Sequence, residues 1–385
     1  MFVDIIAKVE KLLAGRFFGL KCALIGYACI FFFSNPSMFA LSPELKVCGG
    51  CVDFQAKIDR KDYLLSTVTT RYTAGEHMGK SEFRLTFPLL CKLLHISNKY
   101  QAYALQLIIG LGTLMMAAYI FVSLLGSRFL AFCSVLAFCF IYAGKAAVID
   151  TSGFLDAYSF FFILASMCSP HPILTLFTSQ LAYWNDERAI FSHFLVMLWW
   201  QLKLSGSDGY HWKKILFPGI HSICIAISFL VYVFVRMILT QKYGFINSDG
   251  TMLCFPWTFK YSGLVLWQAF EGFIIIVFAA LFILVHNRKY LAAGIFFLSL
   301  LLQYTVAMSI MDLTRSVAYI FPGIFIAYMI CSQWIENKTY IKYGVCIALF
   351  YSFVFADYFI IVPREPSLHY PIYMKVIKKM MHIES

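Results

Sequence analysis

Charge is scarce in this chain. Asp, Glu, Lys and Arg make up 13% of its 385 residues, and carboxylates, at 20 against 31 basic groups, are the scarcer sign. A chain so poor in charge, 61% hydrophobic and with mean hydropathy +0.76, falls outside the soluble globular and disordered classes. The sequence also lacks a Gly-rich phosphate loop, the HExxH of zinc proteases and the GxSxG elbow of α/β hydrolases. The net charge of +11 calls for no nucleic acid, because lysines and arginines at an inner membrane leaflet account for it.

What the chain does hold is hydrocarbon in long runs. They cover residues 17–34, 100–125, 129–149, 154–168, 173–184, 189–202, 215–239, 264–285, 290–310, 316–334 and 341–362. The runs recur along the whole length, so one signal peptide or one anchor does not explain them. They show no short period-two alternation, which argues against an outer-membrane barrel. The expected fold class is all-α: a polytopic transmembrane bundle of about 10–12 spans, with the two short runs at 154–168 and 173–184 the marginal ones. It forms a single integral membrane domain over 1–385, with a first extracytoplasmic loop at 41–99 and a polar tail at 363–385. Within that loop "LTFPLLCKLLHI", residues 85–96, reads as an interfacial amphipathic helix.

Basic residues set the expected orientation. Lys8, Lys11, Arg16 and Lys21 place the N-terminus in the cytoplasm, and alternation puts Lys203, Lys213, Lys214, Arg288, Lys289, Lys338 and Lys342 on the same side. An odd span count would leave Lys375, Lys378 and Lys379 of the tail outside, unless one short run does not cross. The same alternation sends Asp53, Asp59, Asp62, Glu76, Glu82, Asp150, Asp156, Asp186, Glu187, Asp249 and Asp312 to the outer face. The turns carrying Asp186 and Asp312 are only a few residues long, so their charges sit at helix ends. Charge placed there is costly unless paired or wetted, which makes these residues functional candidates.

Several segments in order carry a resemblance: "DFQAKIDRKDY", "HMGKSEFRLTFPLL", "DTSGFLDAYSFFFILA", "WNDERAIF", "VYVFVRMIL" and "MDLTRSVAYIFP". Over roughly residues 15–325 the chain resembles the GT-C membrane glycosyltransferases and the bacterial multi-spanning proteins that share their N-terminal module. The resemblance implies transfer of a sugar from a polyprenyl-phosphate donor to a glycan or lipid acceptor, in cell-envelope synthesis. It implies a bacterial inner (plasma) membrane location with the active face outside. It further implies a first-loop acid as base for the acceptor or as a ligand of a divalent cation such as Mg or Mn. That acid corresponds to Asp53, with Asp59 and Asp62 as competitors; Asp186 and Glu187 take the second acidic position, and Arg188 or Arg315 the donor phosphate. The candidate catalytic set is therefore Asp53, Asp186 and Glu187. The candidate substrate-binding set is Asp59, Asp62, His77, Arg84, Asp156, Arg188, Asp312 and Arg315. The first loop lacks the D-E or D-D pair that many members carry, which bears on catalysis more than on fold.

Each candidate has a plainer reading. Asn185 or Asp186 can cap the helix that begins near Ala189, and Asp312 can cap the next helix in the same way. Arg315 at a helix N-terminus is electrostatically misplaced and calls for a partner. Asp53, Asp59 and Asp62 stand among Lys57, Arg60 and Lys61, as in an ordinary solvated loop. Lys145 either snorkels outward or pairs with Asp150 or Asp156, and Glu271, inside a span, needs protonation, a cation or a polar cavity. Cys48 and Cys51 read first as a local disulfide, since zinc would need two further ligands. Two other functions fit the same sequence. A transporter or flippase of lipid-linked saccharides would show inverted halves, and no convincing internal repeat is present. A non-catalytic membrane partner would keep the fold without the chemistry.

Overall fold

The structure is a computed structural model that describes residues 2–33, 54–65, 82–150, 153–206, 217–245, 255–354, 357–359 and 367–369. Its helices are α1 (Phe2–Leu13), α2 (Phe18–Phe33), α3 (Phe54–Asp59), α4 (Thr86–Leu93), α5 (Lys99–Leu125), α6 (Arg128–Phe140), α7 (Tyr142–Ile149), α8 (Asp156–Cys168) and α9 (Pro172–Tyr183). The chain continues through α10 (Arg188–Ser205), α11 (Ile220–Tyr243), α12 (Phe255–Thr258), α13 (Ser262–Phe270), α14 (Ile274–His286), α15 (Tyr290–Met308), α16 (Leu313–Val317), α17 (Pro322–Trp334) and α18 (Lys338–Val354). A short antiparallel pair, β1 (Asp357–Phe359) with β2 (Ser367–His369), follows.

Among the described residues, five stretches are long and apolar enough to cross a membrane: Lys99–Leu125, Ile220–Tyr243, Phe255–His286, Tyr290–Met308 and Leu313–Trp334. The pair α6 and α7 makes a sixth if it is one span bent by 61°. The sequence runs outnumber these because several form helices shorter than a bilayer: α2 has 16 residues, α8 has 13 and α9 has 12.

Local chemistry explains the helix ends. The Asn98 side chain accepts from the N–H groups of Tyr100 and Gln101 to start α5, and Gly126 ends it at φ 65°, a left-handed value that a side chain would resist. Ser127 then caps α6, so the turn from α5 to α6 is tight. Two expected spans are broken instead of straight. The run 129–149 bends at Ile141, and the run 264–285 passes through a 3-10 turn at Glu271–Phe273, where Glu271 takes φ 45°. Both sides of each break are apolar, so the length of the apolar run gives no sign of either, although Glu271 marks the second as a place where the run is interrupted by charge.

In a bilayer, lipid tails remove most hydrophobic drive between helices, and close packing must hold them. Accordingly, a Cβ on Gly110 would lie 2.2 Å from the Ala147 side chain, and one on Gly272 would lie 2.1 Å from the Ala348 carbonyl oxygen. Helix α2 packs on α5 and α6, α9 on α11, α14 on α17, and α18 on α6. Phe121, Phe138, Phe321 and Phe325 interlock at the centre. Around α17 the core is complete, whereas α11 exposes much of its apolar surface. The amphipathic segment is ordered as α4, bonded through Thr86 to the carbonyls of Leu181 and Trp184, so it lies against the turn between α9 and α10.

Candidate functional site

Three turns meet at one end of the bundle: the α7–α8 turn before Asp156, the α9–α10 turn with Asp186, and the α15–α16 turn with Asp312. Each arises from the local sequence. Asp150 accepts the N–H groups of Phe154 and Leu155 at 3.1 and 2.8 Å, which folds the first turn back onto α8. Asp312 is the N-cap of α16 and accepts the N–H of Arg315 at 3.4 Å, whereas Glu187 takes the N-cap position of α10 without a side-chain bond and Asp186, one residue earlier, accepts the N–H of Arg188 at 3.0 Å. Asn185, the other candidate cap, serves elsewhere. The turn is buried, and the Asn185 amide donates to the Leu155 carbonyl and to Ser159.

Asp156 is the hub. Its carboxylate accepts from Arg188 Nη2 at 2.9 Å, from Arg315 Nε at 2.5 Å and Nη2 at 3.1 Å, and from the hydroxyls of Tyr142 and Tyr319 at 3.3 Å each. Arg188 also grips Asp186 through Nε at 2.8 Å and Nη2 at 2.7 Å, and donates from Nη1 to Ser316 at 2.9 Å. Arg315 reaches Asp312 at 2.8 Å. Arg84, just before α4, closes the chain of charges on Asp186 at 2.9 Å. Three carboxylates thus face three guanidinium groups, and the charges balance. The Asp156 side chain is 0% exposed and those of Arg188 and Arg315 are 8% exposed, whereas Arg84 is 26% exposed and forms the mouth of the network. Tyr319 and Phe154 cover the guanidinium faces of Arg188 and Arg315 at 4.8 and 3.9 Å.

The ionisation of the turn follows from this geometry. Burial by itself would raise the Asp186 carboxyl, but Arg188 and Arg84 hold it well below the usual carboxylate range. Burial raises Asp150, against the two N–H bonds that favour its charged form. Lys57 on α3 is buried and donates to the Gly153 carbonyl; burial and then nearby Arg84 pull its ammonium down to about 7, with Asp150 opposing. Lys57 therefore pins the first loop onto the α7–α8 turn.

The sequence candidates divide into three groups. Asp156, Asp186, Arg188, Arg84, Asp312 and Arg315 come together, and Arg315 has the partners that its position called for. Glu187 turns away to Arg236 at 2.7 Å, where Tyr232 and the Phe83 ring flank the guanidinium. Asp59, bonded to Gln55 at 2.9 Å, and exposed Asp62 stay outside the network. Lys145 is buried. Asp53, His77, Cys48 and Cys51 lie outside the described residues. Sequence reasoning gave no role to Lys57, Arg236, Tyr142, Ser316 or Tyr319. Only Arg236 carried a signal, as a lone arginine inside the apolar run "VYVFVRMIL".

Among the described residues no group of three or more His, Cys, Asp and Glu side chains is placed to hold a metal ion. The clustered carboxylates do not fit a divalent cation, which would find each of them already neutralised by arginine. No protein-family model matches the chain, and neither curated proteins nor solved structures contain a match to it.

Proposed function

We propose that this protein is a GT-C-like membrane glycosyltransferase that takes sugar from a polyprenyl-phosphate donor at the membrane face where the ion network lies, for a glycan or lipid acceptor of the cell envelope. The observation that supports this most is Arg84. It is the one arginine of the network with substantial exposure, and it lies beside interfacial helix α4. A lipid phosphate arriving along the interface would compete with Asp186 for that guanidinium, whose planar fork suits a phosphate. Charge growing on the departing phosphate would be stabilised there. Asp53, just before α3 in sequence, is the candidate base for the acceptor hydroxyl. Asp156, Arg188 and Arg315 act in this reading as the rigid frame that holds Asp186 in place.

One observation favours a second reading, a non-catalytic membrane partner. Arg188 and Arg315 already give their side-chain N–H groups to carboxylates and to Ser316, which is what a structural clamp requires. Reconstitution in liposomes with a polyprenyl-phosphate-linked radiolabelled sugar on one side separates the readings. Label passing into an acceptor supports the transferase. Donor appearing unchanged in the opposite leaflet supports a flippase, and no change in either overturns the transferase and supports the non-catalytic partner.

A further inference from the structure

We propose that a groove between the 3-10 turn Arg60–Tyr63 and α4 binds one anionic glycerophospholipid of the surrounding bilayer, independently of any sugar transfer. The groove has a volume of about 680 Å³, within the range of small-molecule sites.

Its two ends differ in polarity. Lys61 donates to the carbonyl of Ile96, just beyond the C-terminal end of α4, and Lys92 stands in the last turn of that helix. The two ammonium groups therefore share one end of the groove. Leu85 and Leu89, one turn apart, line the wall toward the helix start, and Leu64 and Leu65 leave the 3-10 turn to line it as well. Leu65 and Leu89 remain 52% and 50% exposed. Leu89 on α4 and Leu65 just past the 3-10 turn thus give the groove an apolar wall that a hydrocarbon tail would cover.

A cationic end next to an apolar trough matches an amphiphile with a phosphate head and a hydrocarbon tail. Asp62 also lines the groove, so two ammonium groups face one carboxylate. That excess favours an anionic headgroup over a zwitterionic one. The groove lies apart from the arginine network. Lys61, Asp62 and Lys92 make none of its ion pairs.

The test is native mass spectrometry of the full-length protein in detergent micelles titrated with dioctanoylphosphatidylglycerol, with dioctanoylglycerol and inorganic phosphate as separate arms. The expected result is one phosphatidylglycerol bound with clear preference over dioctanoylglycerol, and no retained inorganic phosphate. Lys61→Gln with Lys92→Gln should weaken it roughly tenfold or more, Lys92→Gln alone by about fivefold, and Lys61→Arg with Lys92→Arg should restore it. Because Lys92 is exposed on the helix surface, its single substitution reads binding without disturbing the fold. Unchanged affinity in Lys92→Gln and in the double glutamine variant would overturn the proposal. So would inorganic phosphate binding as tightly as the lipid, which would mark a free-anion site.

Discussion

Replacing Asp156 with Asn removes one negative charge from a site that holds two buried arginines. Asp156 accepts from Arg188, Arg315, Tyr142 and Tyr319, and its side chain is 0% exposed. An asparagine amide keeps one acceptor oxygen, but its NH2 must point at a guanidinium donor whichever way it flips. A donor facing a donor costs about 1–3 kcal/mol, and, although Arg188 keeps Asp186 and Arg315 keeps Asp312, the one positive charge left in excess in the buried network raises the total to about 3–5 kcal/mol. Restoring the balance should recover much of that loss, so Asp156→Asn combined with Arg315→Gln should be less unstable than the sum of the two single variants. The expected coupling is at least about 1 kcal/mol. Denaturant unfolding in mixed micelles, followed by tryptophan fluorescence, reads all four proteins of the cycle. Asp156→Asn within about 0.5 kcal/mol of wild type, or a double variant that equals the sum, would refute the account of the network as one balanced unit.

The remaining expectations are smaller in scope. Glu187→Gln should cost less than about 1 kcal/mol, because the pair with Arg236 is partly open, with the Glu187 side chain 41% exposed; the same unfolding assay reads it. Gly272→Ala should cost about 1–3 kcal/mol or more, since the new Cβ would meet the Ala348 carbonyl oxygen at 2.1 Å and backbone has to move. Stability should also follow pH in two windows. Asp186, with its folded pKa depressed, stabilises fully above the unfolded carboxylate value of about 4 and loses that contribution as pH falls toward the folded value. Lys57 binds fewer protons folded than unfolded between about 7 and 10.5, so stability should rise with pH across that window, and Lys57→Met should flatten the rise in thermal unfolding scans.

The ion network was partly legible because short turns force charge onto helix ends. Asp156, Asp186 and Asp312 could be placed on a common face by alternation alone, and Arg315 betrayed its need for a partner by standing at a helix start. The direction of each side chain was not legible. Adjacent residues Asp186 and Glu187 look equivalent in "NDER", yet one turns to Arg188 and the other to Arg236, because successive residues at a helix start point roughly 100° apart. Lys57 was hidden among loop charges, since only contact with Gly153 distinguishes it from Lys61. The breaks at Ile141 and Glu271 escaped for a different reason. Neither holds a proline, and the backbone angles there depend on close packing, of Gly144 on the Phe138 carbonyl and Gly272 on that of Ala348.

Arg84 is the proposed receiver of the donor phosphate, and the most direct measurement is sugar transfer from a polyprenyl-phosphate donor by wild type and Arg84→Gln. Wild type should transfer, and Arg84→Gln, compared at equal amounts of folded protein, should lose at least about tenfold in kcat/KM for the donor, roughly 1.4 kcal/mol. Equal transfer by the two proteins, or no transfer by wild type from any such donor, would contradict it.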